Sequence, residues 1–443
     1  MQFSIIMRMV LRNGQYSRKL RSGLFIAAML IITNYSFSQK DTTKTVPDGT
    51  EGLTLIVPPP DPQTKKLPPN EFDGSYSTFK IGFGYIADFA TFKQSKVFQQ
   101  QMDSANLEVK SSIETRDGRI LGSGVLKTKR TLAWKFAFMY DGDDKIWMVR
   151  ESGITIGVPE IHGHIFVGRT KEGYSMVKVM NGHSPWAAER QMALDVIPIL
   201  ADGIKYFGYL PKSRVFLNLG YYNDFLSEGQ GFSTYKWQAV GRVGWLPYYD
   251  KEQNRVIHIA ANLRYGKPVD GKMTLKSRPE SNPAPQILNT GSFQSDHSTH
   301  IGGELYYSNG RLLIGSEVML HNFQSKDFED HKFFGGNVMI SYIFTGGRRP
   351  YTTTGSILGF VKVKKSIFNG GWGDWEAVVN LSSLDLNDGS INGGKFWRIT
   401  PMVNWYMTKY MRMEFIYGYG VLDRYKLKGN LQIFQARIQF TVM

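Results

Sequence analysis

The chain has 443 residues, of which 14% are aromatic and 46 are glycine, and its formal net charge is +15. It contains no cysteine, which excludes a disulfide framework and thiol chemistry. A positive balance suits nucleic acid, an anionic surface or anionic solutes, but the basic residues are scattered along the chain rather than clustered in one run.

The N-terminus has the layout of a secretory signal peptide. Five basic residues precede the short apolar run 24–32, which ends at the small-residue pattern Ser36-Phe37-Ser38. A membrane anchor is the alternative, but the run is shorter than the roughly 20 residues that a spanning helix needs. We predict a signal peptide over residues 1–38, whose removal leaves a net charge of +10. Nucleic acid is the least favoured partner of an exported chain.

Residues 39–75 follow as a polar, proline-rich segment. They include the stretch VPPPDPQTKKLPPN, which shows no hydrophobic periodicity. We predict an extended periplasmic segment here.

A period-two alternation of apolar and polar residues begins near residue 76 and continues to the end, over residues 76–443. A soluble sandwich would have to bury the polar row, which repeatedly contains lysine, arginine, glutamate and histidine. A membrane barrel turns the apolar row to lipid and the polar row to a wet lumen. In the stretch 374–386 we therefore expect lipid-facing Trp375, Ala377, Val379 and Leu381, and water-facing Glu376, Asn380 and Ser382.

The pattern predicts an all-β fold, a 16-stranded antiparallel transmembrane β-barrel of the outer-membrane porin type. The sixteen strands are predicted near residues 78–89, 116–127, 131–141, 144–157, 161–169, 202–209, 213–224, 235–246, 255–266, 299–308, 311–322, 333–344, 374–386, 395–406, 410–420 and 429–442.

Tight turns alternate with longer connections along this series. Short turns are predicted at 308–311, 247–250 and 406–410, and long or polar loops at 89–115, 170–201, 267–298 and 387–394. An even strand count puts both chain ends at one rim, so the connection 345–373 falls on the periplasmic side. It is long and basic for that side, and two alternatives remain open, a segment folded into the lumen or a decoration of the rim.

Several motifs occur in a distinctive order. The stretch FTGGRRPY at 344–351 is followed by GFVKVK at 359–364 and by GGWGDWEAVVNLSSLDLND at 370–388. Upstream stand VGRTKE at 167–172, the pair Glu189-Arg190 and GRVGWLP at 241–247, and NWY follows at 404–406. This series resembles the signature of the phosphate-selective porins O and P, and the resemblance covers roughly residues 76–443.

The resemblance implies a homotrimeric porin of the Gram-negative outer membrane, in which one extracellular loop and one periplasmic segment fold inward to form an anion path. By position these are the loop 170–201, with Lys171, Lys178 and Arg190, and the segment 345–373, with Lys362 and Lys364. The chain departs from the family where Asn380 and Ser383 replace arginines and where Pro and Phe are missing after Arg169. These departures weaken the case for phosphate specificity.

Strand parity adds inward-facing cations to this set, namely Arg119, Lys135, Arg242, Arg264 and Arg437. The alternative for each is an ion pair with a luminal carboxylate such as Glu304, Glu317 or Glu376. The predicted function is passive diffusion of small anions, phosphate or related oxyanions, through a lumen lined by basic residues. The alternatives are a general, weakly selective diffusion porin and a purely structural barrel.

Enzymatic and metal chemistry find little support in the sequence. There is no H-E-x-x-H, Walker loop or G-x-S-x-G motif. His162 and His164 share a strand face, but no third ligand is near in sequence. We predict no enzymatic activity, no metal and no cofactor, and as partners small anions and outer-membrane lipid.

Overall fold

The computed structural model describes residues 67–231 and 233–442. The predicted signal peptide and most of the proline-rich segment lie outside the described residues. Within these ranges no helix has the length and apolar character needed to cross a membrane.

Sixteen strands form the body of the molecule, in the predicted order, and most are longer at one or both ends than predicted. They are β1 (Thr78–Gln94), β2 (Ser112–Leu126), β3 (Leu132–Asp141), β4 (Ile146–Val158), β5 (Gly163–Thr170), β6 (Ala201–Leu210), β7 (Val215–Asn223), β8 (Tyr235–Asp250), β9 (Arg255–Pro268), β10 (His297–Asn309), β11 (Leu312–Gln324), β12 (His331–Ile343), β13 (Asp374–Asp388), β14 (Ile391–Tyr406), β15 (Met411–Arg424) and β16 (Leu427–Val442).

The sheet closes on itself. Each strand pairs antiparallel with its neighbours in sequence, and β1 pairs with both β2 and β16, as in the partners Asp88 and Arg437. The predicted closed, 16-stranded antiparallel barrel is confirmed. The short strand Glu71–Asp73 also pairs with the start of β1, so the last residues of the proline-rich segment form a hairpin instead of extending freely.

β1 begins and β16 ends at one rim, which we call the terminal rim. We call the opposite rim the far rim. The terminal-rim turns are short, except for residues 344–373 between β12 and β13. Short turns are typical of the periplasmic side. Two predicted connections differ. Residues 247–250 belong to β8, with the turn at 251–254, and the loop 387–394 shrinks to residues 389–390 because β13 and β14 extend into it.

Smaller elements lie in the connections between the strands. They are α1 (Lys96–Ser104), α2 (Met176–Val179), the 3₁₀ helices Pro159–Ile161, Met192–Val196, Val269–Gly271 and Ile367–Asn369, and the two-stranded ladders Lys272–Ser277 with Leu288–Gln294 and Tyr351–Thr352 with Ile357–Leu358. The side chain of Ser95 caps α1 by accepting a hydrogen bond from the Phe98 N–H.

The outward rows of the strands are apolar and exposed, as Val379 and Leu381 show on β13. The inward row of the same strand is buried, including Glu376, Asn380 and Ser382. Strand parity is therefore as predicted. The expectation that these three side chains face water is wrong for this structure, because inward-folded segments cover them.

Two apolar clusters inside the barrel account for this burial. In the central cluster, Met176 and Trp186 of the β5–β6 loop pack with Leu358 of the β12–β13 connection. Nearer the far rim, Phe98 of α1 and Met192 pack with Phe293 of the β9–β10 loop. The lumen therefore has an apolar filling of its own, which removes water from most of the wall.

Candidate functional site

The loop 171–200 is held in the lumen by one carboxylate of β11. Glu317 accepts hydrogen bonds from Ser175 Oγ at 2.6 Å, from the Val177 N–H at 3.2 Å and from Gln191 Nε2 at 2.9 Å. Tyr306 on the wall donates a fourth, at 2.9 Å. Each partner except Tyr306 belongs to the loop, so this carboxylate fixes the loop to the wall.

The neighbouring carboxylate on β10 holds the segment from the terminal rim. Glu304 forms a bidentate pair with Arg242, with both N–O distances 2.8 Å, and Arg242 also donates to the carbonyls of Gly355 and Ser356 at 3.0 Å. Glu304 and Glu317 are direct partners in the β10–β11 register. We call them the acidic pair, since one anchors each inward segment.

A third buried carboxylate, Glu172, binds two of the predicted cations. Lys178 Nζ lies 2.5 Å and Arg264 Nε 3.1 Å from Glu172 Oε2, and the Arg264 guanidinium stacks on Tyr235 at 3.9 Å from the ring centroid. Lys178, Arg242 and Arg264 are thus enclosed in ion pairs. Each of these three cations is therefore paired with a carboxylate, which was the alternative to a role in the anion path. Their ion pairs hold the inward segments in position.

The loop also crosses the lumen to the last strand. His183 Nδ1 lies 2.7 Å from Thr441 Oγ1, and Gln439 Nε2 donates to the His183 carbonyl at 2.9 Å. Arg437 pairs with Asp88 of β1 and donates to the Ala188 carbonyl of the loop. The loop therefore contacts both strands at which the barrel closes.

Two β-bulges turn additional arginines inward. The β1–β2 register shifts so that Arg116 is the extra residue between Thr115 and Asp117, and the β4 register shifts across Arg150 and Glu151. A bulge lets two successive side chains point to the same face. Arg116 consequently reaches Glu189 of the loop at 2.6 Å, and Arg150 contacts Met139 Sδ on the inner face. Sequence parity missed both arginines.

These arginines complete a group that we call the basic wall, on β2–β4 and the adjoining loop. It comprises Arg116, Arg119, Lys135, Arg150, Lys171 and Arg190, with the carboxylates Asp117, Glu151 and Glu189. Glu151 lies 2.5 Å from Lys135 and 3.4 Å from Lys171, and Asp117 lies 2.8 Å from Arg116 and 2.6 Å from Arg119. Six cations thus face three carboxylates.

Water reaches part of the basic wall, in contrast to the inner faces of β8–β16, although Arg119, Arg150 and Lys171 are buried. The side chains of Arg116 and Glu151 are 20% and 21% exposed, and that of Lys135 is 12% exposed. In this wall, Arg119 Nε and Arg190 Nη2 are buried and have no hydrogen-bond partner among the described residues, as is also true of Arg264 Nη1 and Arg398 Nη2 elsewhere in the lumen. Burial, and to a lesser extent repulsion from the neighbouring Arg116 and Arg119, lowers the pKa of Arg190 to about 10.

A cavity of about 1130 Å³ lies at the far rim, above this wall. Its lining begins on β2 at Ser112 and Glu114, close in sequence to Arg116, and includes Asp143 and Arg278. Its charges are mixed, unlike those of the basic wall. It provides a wet vestibule at the end of the barrel where the loops lie.

The connection 345–373 divides between the lumen and the rim, so each of the two alternatives describes part of it. Tyr351 is buried in the lumen and its hydroxyl lies 2.8 Å from His258 Nδ1. Lys362 and Lys364 are exposed at the terminal rim, where the Lys364 N–H donates to Asp374 Oδ2 at 2.7 Å. The structure does not bring these lysines to the other predicted cations.

The two histidines of the His162-Gly163-His164 pattern do not lie on one strand, because His162 belongs to the β4–β5 turn and His164 to β5. His162 has a positive φ of 53° at the end of a 3₁₀ helix, and His164 stacks on Phe207 at 5.1 Å. The described part of the chain contains no group of three histidine, cysteine or acidic residues that could hold a metal ion.

Comparison with known proteins agrees with this architecture. The family model of phosphate-selective porin O and P matches residues 251–442. An uncharacterized protein of Caulobacter vibrioides is 25% identical over 189 residues, which cover 42% of this chain and 38% of that protein. The chain therefore spans well under half the length of this relative.

Solved porins share the fold at low identity. An anion-selective porin of Comamonas acidovorans is 13% identical, with a TM-score of 0.51 over 83% of this chain and 100% of that one. OmpF of Salmonella typhi in complex with daunomycin is 10% identical, with a TM-score of 0.54 over 84% and 100%. OmpT of Vibrio cholerae in a trimer form is 11% identical, with a TM-score of 0.53 over 83% and 100%.

The family match confirms the predicted resemblance over residues 251–442, which include the motifs at 344–351, 359–364, 370–388 and 404–406. The chain is a porin-type β-barrel of the Gram-negative outer membrane.

Proposed function

We propose that the protein is a passive channel for small anions, phosphate or related oxyanions, and that they cross the barrel along the basic wall. The porin family and fold favour a channel over an enzyme. The resemblance and the trimer form of OmpT support a homotrimer.

The charge and accessibility of the basic wall carry this proposal. An anion entering a tube within lipid loses hydration, and fixed positive charge offsets that cost. Six cations against three carboxylates leave three positive charges in excess on the side of the lumen that water reaches. The exposed parts of Arg116 and Lys135 are the contacts open to an anion.

The carboxylates of this wall keep each anion site weak. Glu151 forms ion pairs with both Lys135 and Lys171, and Glu189 forms one with Arg116. A single tight site would stall the flux, whereas several weak sites in series allow an anion to enter and leave. Lysine binds an oxyanion as a point charge and arginine as a fork, so the wall offers both kinds of contact.

A general, weakly selective porin is the second candidate. The mixed lining of the far-rim cavity, with Glu114 and Asp143 beside Arg278, favours it. The two functions differ in ion preference and in the response to phosphate.

The test is the reversal potential of the purified protein in a planar bilayer under a potassium chloride gradient, with and without phosphate. The double variant Arg116→Gln, Arg150→Gln removes two of the three excess charges. Each charge contributes about 1 kcal/mol at 4 Å in water, so we expect the anion preference to fall about fivefold per charge. Glu151→Gln should raise it, and Lys332→Gln, at an exposed far-rim lysine, should leave it unchanged.

Millimolar phosphate should reduce the chloride current of the wild type and have less effect on the double variant. A large conductance with little ion preference and no response to phosphate would instead show a general porin. A protein that forms no conducting channel would contradict both functions.

A further inference from the structure

The connection between β12 and β13 has a charge that differs from the rest of the barrel. Residues 344–373 contain five cations, Arg348, Arg349, Lys362, Lys364 and Lys365, and no aspartate or glutamate. Arg349 is buried against Glu376. The others are exposed at the terminal rim, and the neighbouring turn adds the exposed Lys409.

Two aromatic side chains of the same connection are exposed on the surface. Phe368 is 76% and Trp372 is 83% exposed. Their backbone is fixed, because the Ile367 N–H donates to the Met407 carbonyl at 3.1 Å and the Gly371 N–H to the Ser366 carbonyl at 3.0 Å. Large apolar side chains that a rigid backbone presents to the outside mark a contact surface.

The position of these aromatic residues identifies what they contact. Trp405 Nε1 donates to the Trp372 carbonyl at 2.8 Å, and Trp405 stacks on Trp375 at 5.1 Å between ring centroids. Trp375 and Trp405 belong to the outward rows of β13 and β14, beside the exposed Phe344. Trp372 therefore continues the lipid-facing aromatic band to the rim, at headgroup level.

We infer that Lys364, Lys365, Lys409, Phe368 and Trp372 form a binding site for anionic phospholipid headgroups in the membrane leaflet at the terminal rim. We call them the rim patch. The aromatic rings insert at the boundary of acyl chain and headgroup, and the ammonium groups bind the lipid phosphate. The inference does not depend on the proposed anion path, since these exposed side chains of the terminal rim are not part of the basic wall.

The far rim contains a natural contrast. The β11–β12 hairpin also combines two exposed lysines, Lys326 and Lys332, with an exposed aromatic residue, Phe328. The acids Asp327, Glu329 and Asp330 accompany them. This hairpin therefore presents lysines and an aromatic residue without a net positive charge. We expect it to show no preference for anionic lipid.

The test is native mass spectrometry of the full chain in neutral detergent with equimolar phosphatidylglycerol and phosphatidylcholine. The wild type should retain phosphatidylglycerol preferentially. A cation near a membrane surface contributes about fivefold to anionic-lipid binding, so Lys365→Gln with Lys409→Gln should reduce the retained ratio by an order of magnitude. The control variant Lys326→Gln with Lys332→Gln should leave it unchanged.

Two further arms separate a lipid from free phosphate. Inorganic phosphate at millimolar concentration should not displace the retained lipid, and the Lys365→Gln, Lys409→Gln variant should keep the wild-type reversal potential. Phe368→Ala with Trp372→Ala should weaken retention of both lipids. An unchanged lipid ratio in the lysine variant, an equal fall in the control, or a loss of ion preference would each overturn the inference.

Discussion

Arg116 and Arg150 show how one extra residue in a strand changes the charge of a barrel wall. In a regular strand, Arg116 would point away from Asp117 and Arg150 away from Glu151. The bulges at both positions place each arginine on the inner face beside its acidic neighbour. The two bulged arginines account for two of the three excess positive charges on the basic wall.

Asp195 is a single residue at which pH should act on the docking of the loops. Its Oδ2 accepts a hydrogen bond from Ser277 Oγ at 2.7 Å, which joins the β5–β6 and β9–β10 loops. Asp195 is open to water, yet the surrounding protein, with repulsion from Glu189 and Glu280, raises its pKa to about 7. The folded protein therefore favours the neutral acid over the carboxylate at this site.

The sign of the pH dependence follows from that direction. An acid whose pKa is higher in the folded state stabilises the fold when it is protonated. This contribution to the free energy of unfolding is complete below the pKa of the unfolded state, near 4, and is lost as pH rises through about 7. We expect the thermal unfolding temperature of the protein to fall between pH 5 and pH 8. Asp195→Asn, which is neutral at every pH, should flatten this dependence. An equally steep fall in the variant would show that other groups cause it.

At the scale of elements, the strands were predictable and the filling of the lumen was not. A period-two pattern over Thr78–Gln94 or Leu427–Val442 follows directly from lipid on one side and polar surroundings on the other. The same pattern could not tell water from an inward segment beside Glu376, since both accept a polar side chain. Residues 171–200 have no periodicity that would indicate what they cover.

The candidate site was predictable in part for the same reason. Arg119 and Lys135 lie on the inner face because parity holds there, whereas Arg116 and Arg150 depend on bulges that period-two reasoning does not detect. Lys171 and Arg190 came from the family resemblance. The ion pairs of Lys178 and Arg264 required the position of Glu172, which a loop sequence does not fix.

The acidic pair leads to a prediction about the loop 171–200. Glu317 binds the loop through Ser175, Val177 and Gln191, and a hydrogen bond contributes about 0.5–1.5 kcal/mol. We expect Glu317→Ala to loosen the loop and to give a larger, less stable single-channel conductance. Val318→Ala, at the adjacent lipid-facing residue, should behave as the wild type does. Identical conductance in both variants would contradict the anchoring role.

At the scale of the whole molecule, ion preference should depend on salt. If charge rather than pore size selects anions, screening must weaken the selection, because the Debye length falls from about 10 Å at 0.1 M salt to about 3 Å at 1 M. We expect the anion-to-cation permeability ratio to be several-fold higher at 0.1 M than at 1 M potassium chloride. A ratio that stays constant in bilayer recordings would indicate steric selection.

The contacts of His183 with β16 have a consequence for the order of events during biogenesis. The β5–β6 loop precedes β16 by more than two hundred residues, yet Thr441 and Gln439 bond to it where the last strand meets the first. The loop can therefore act as an internal scaffold on which β16 docks before it pairs with β1 and closes the barrel. We expect His183→Ala to slow the appearance of the compact, heat-modifiable form in a refolding time course while leaving the finished barrel intact. If the variant forms the compact species at the wild-type rate, β16 pairs with β1 without help from His183.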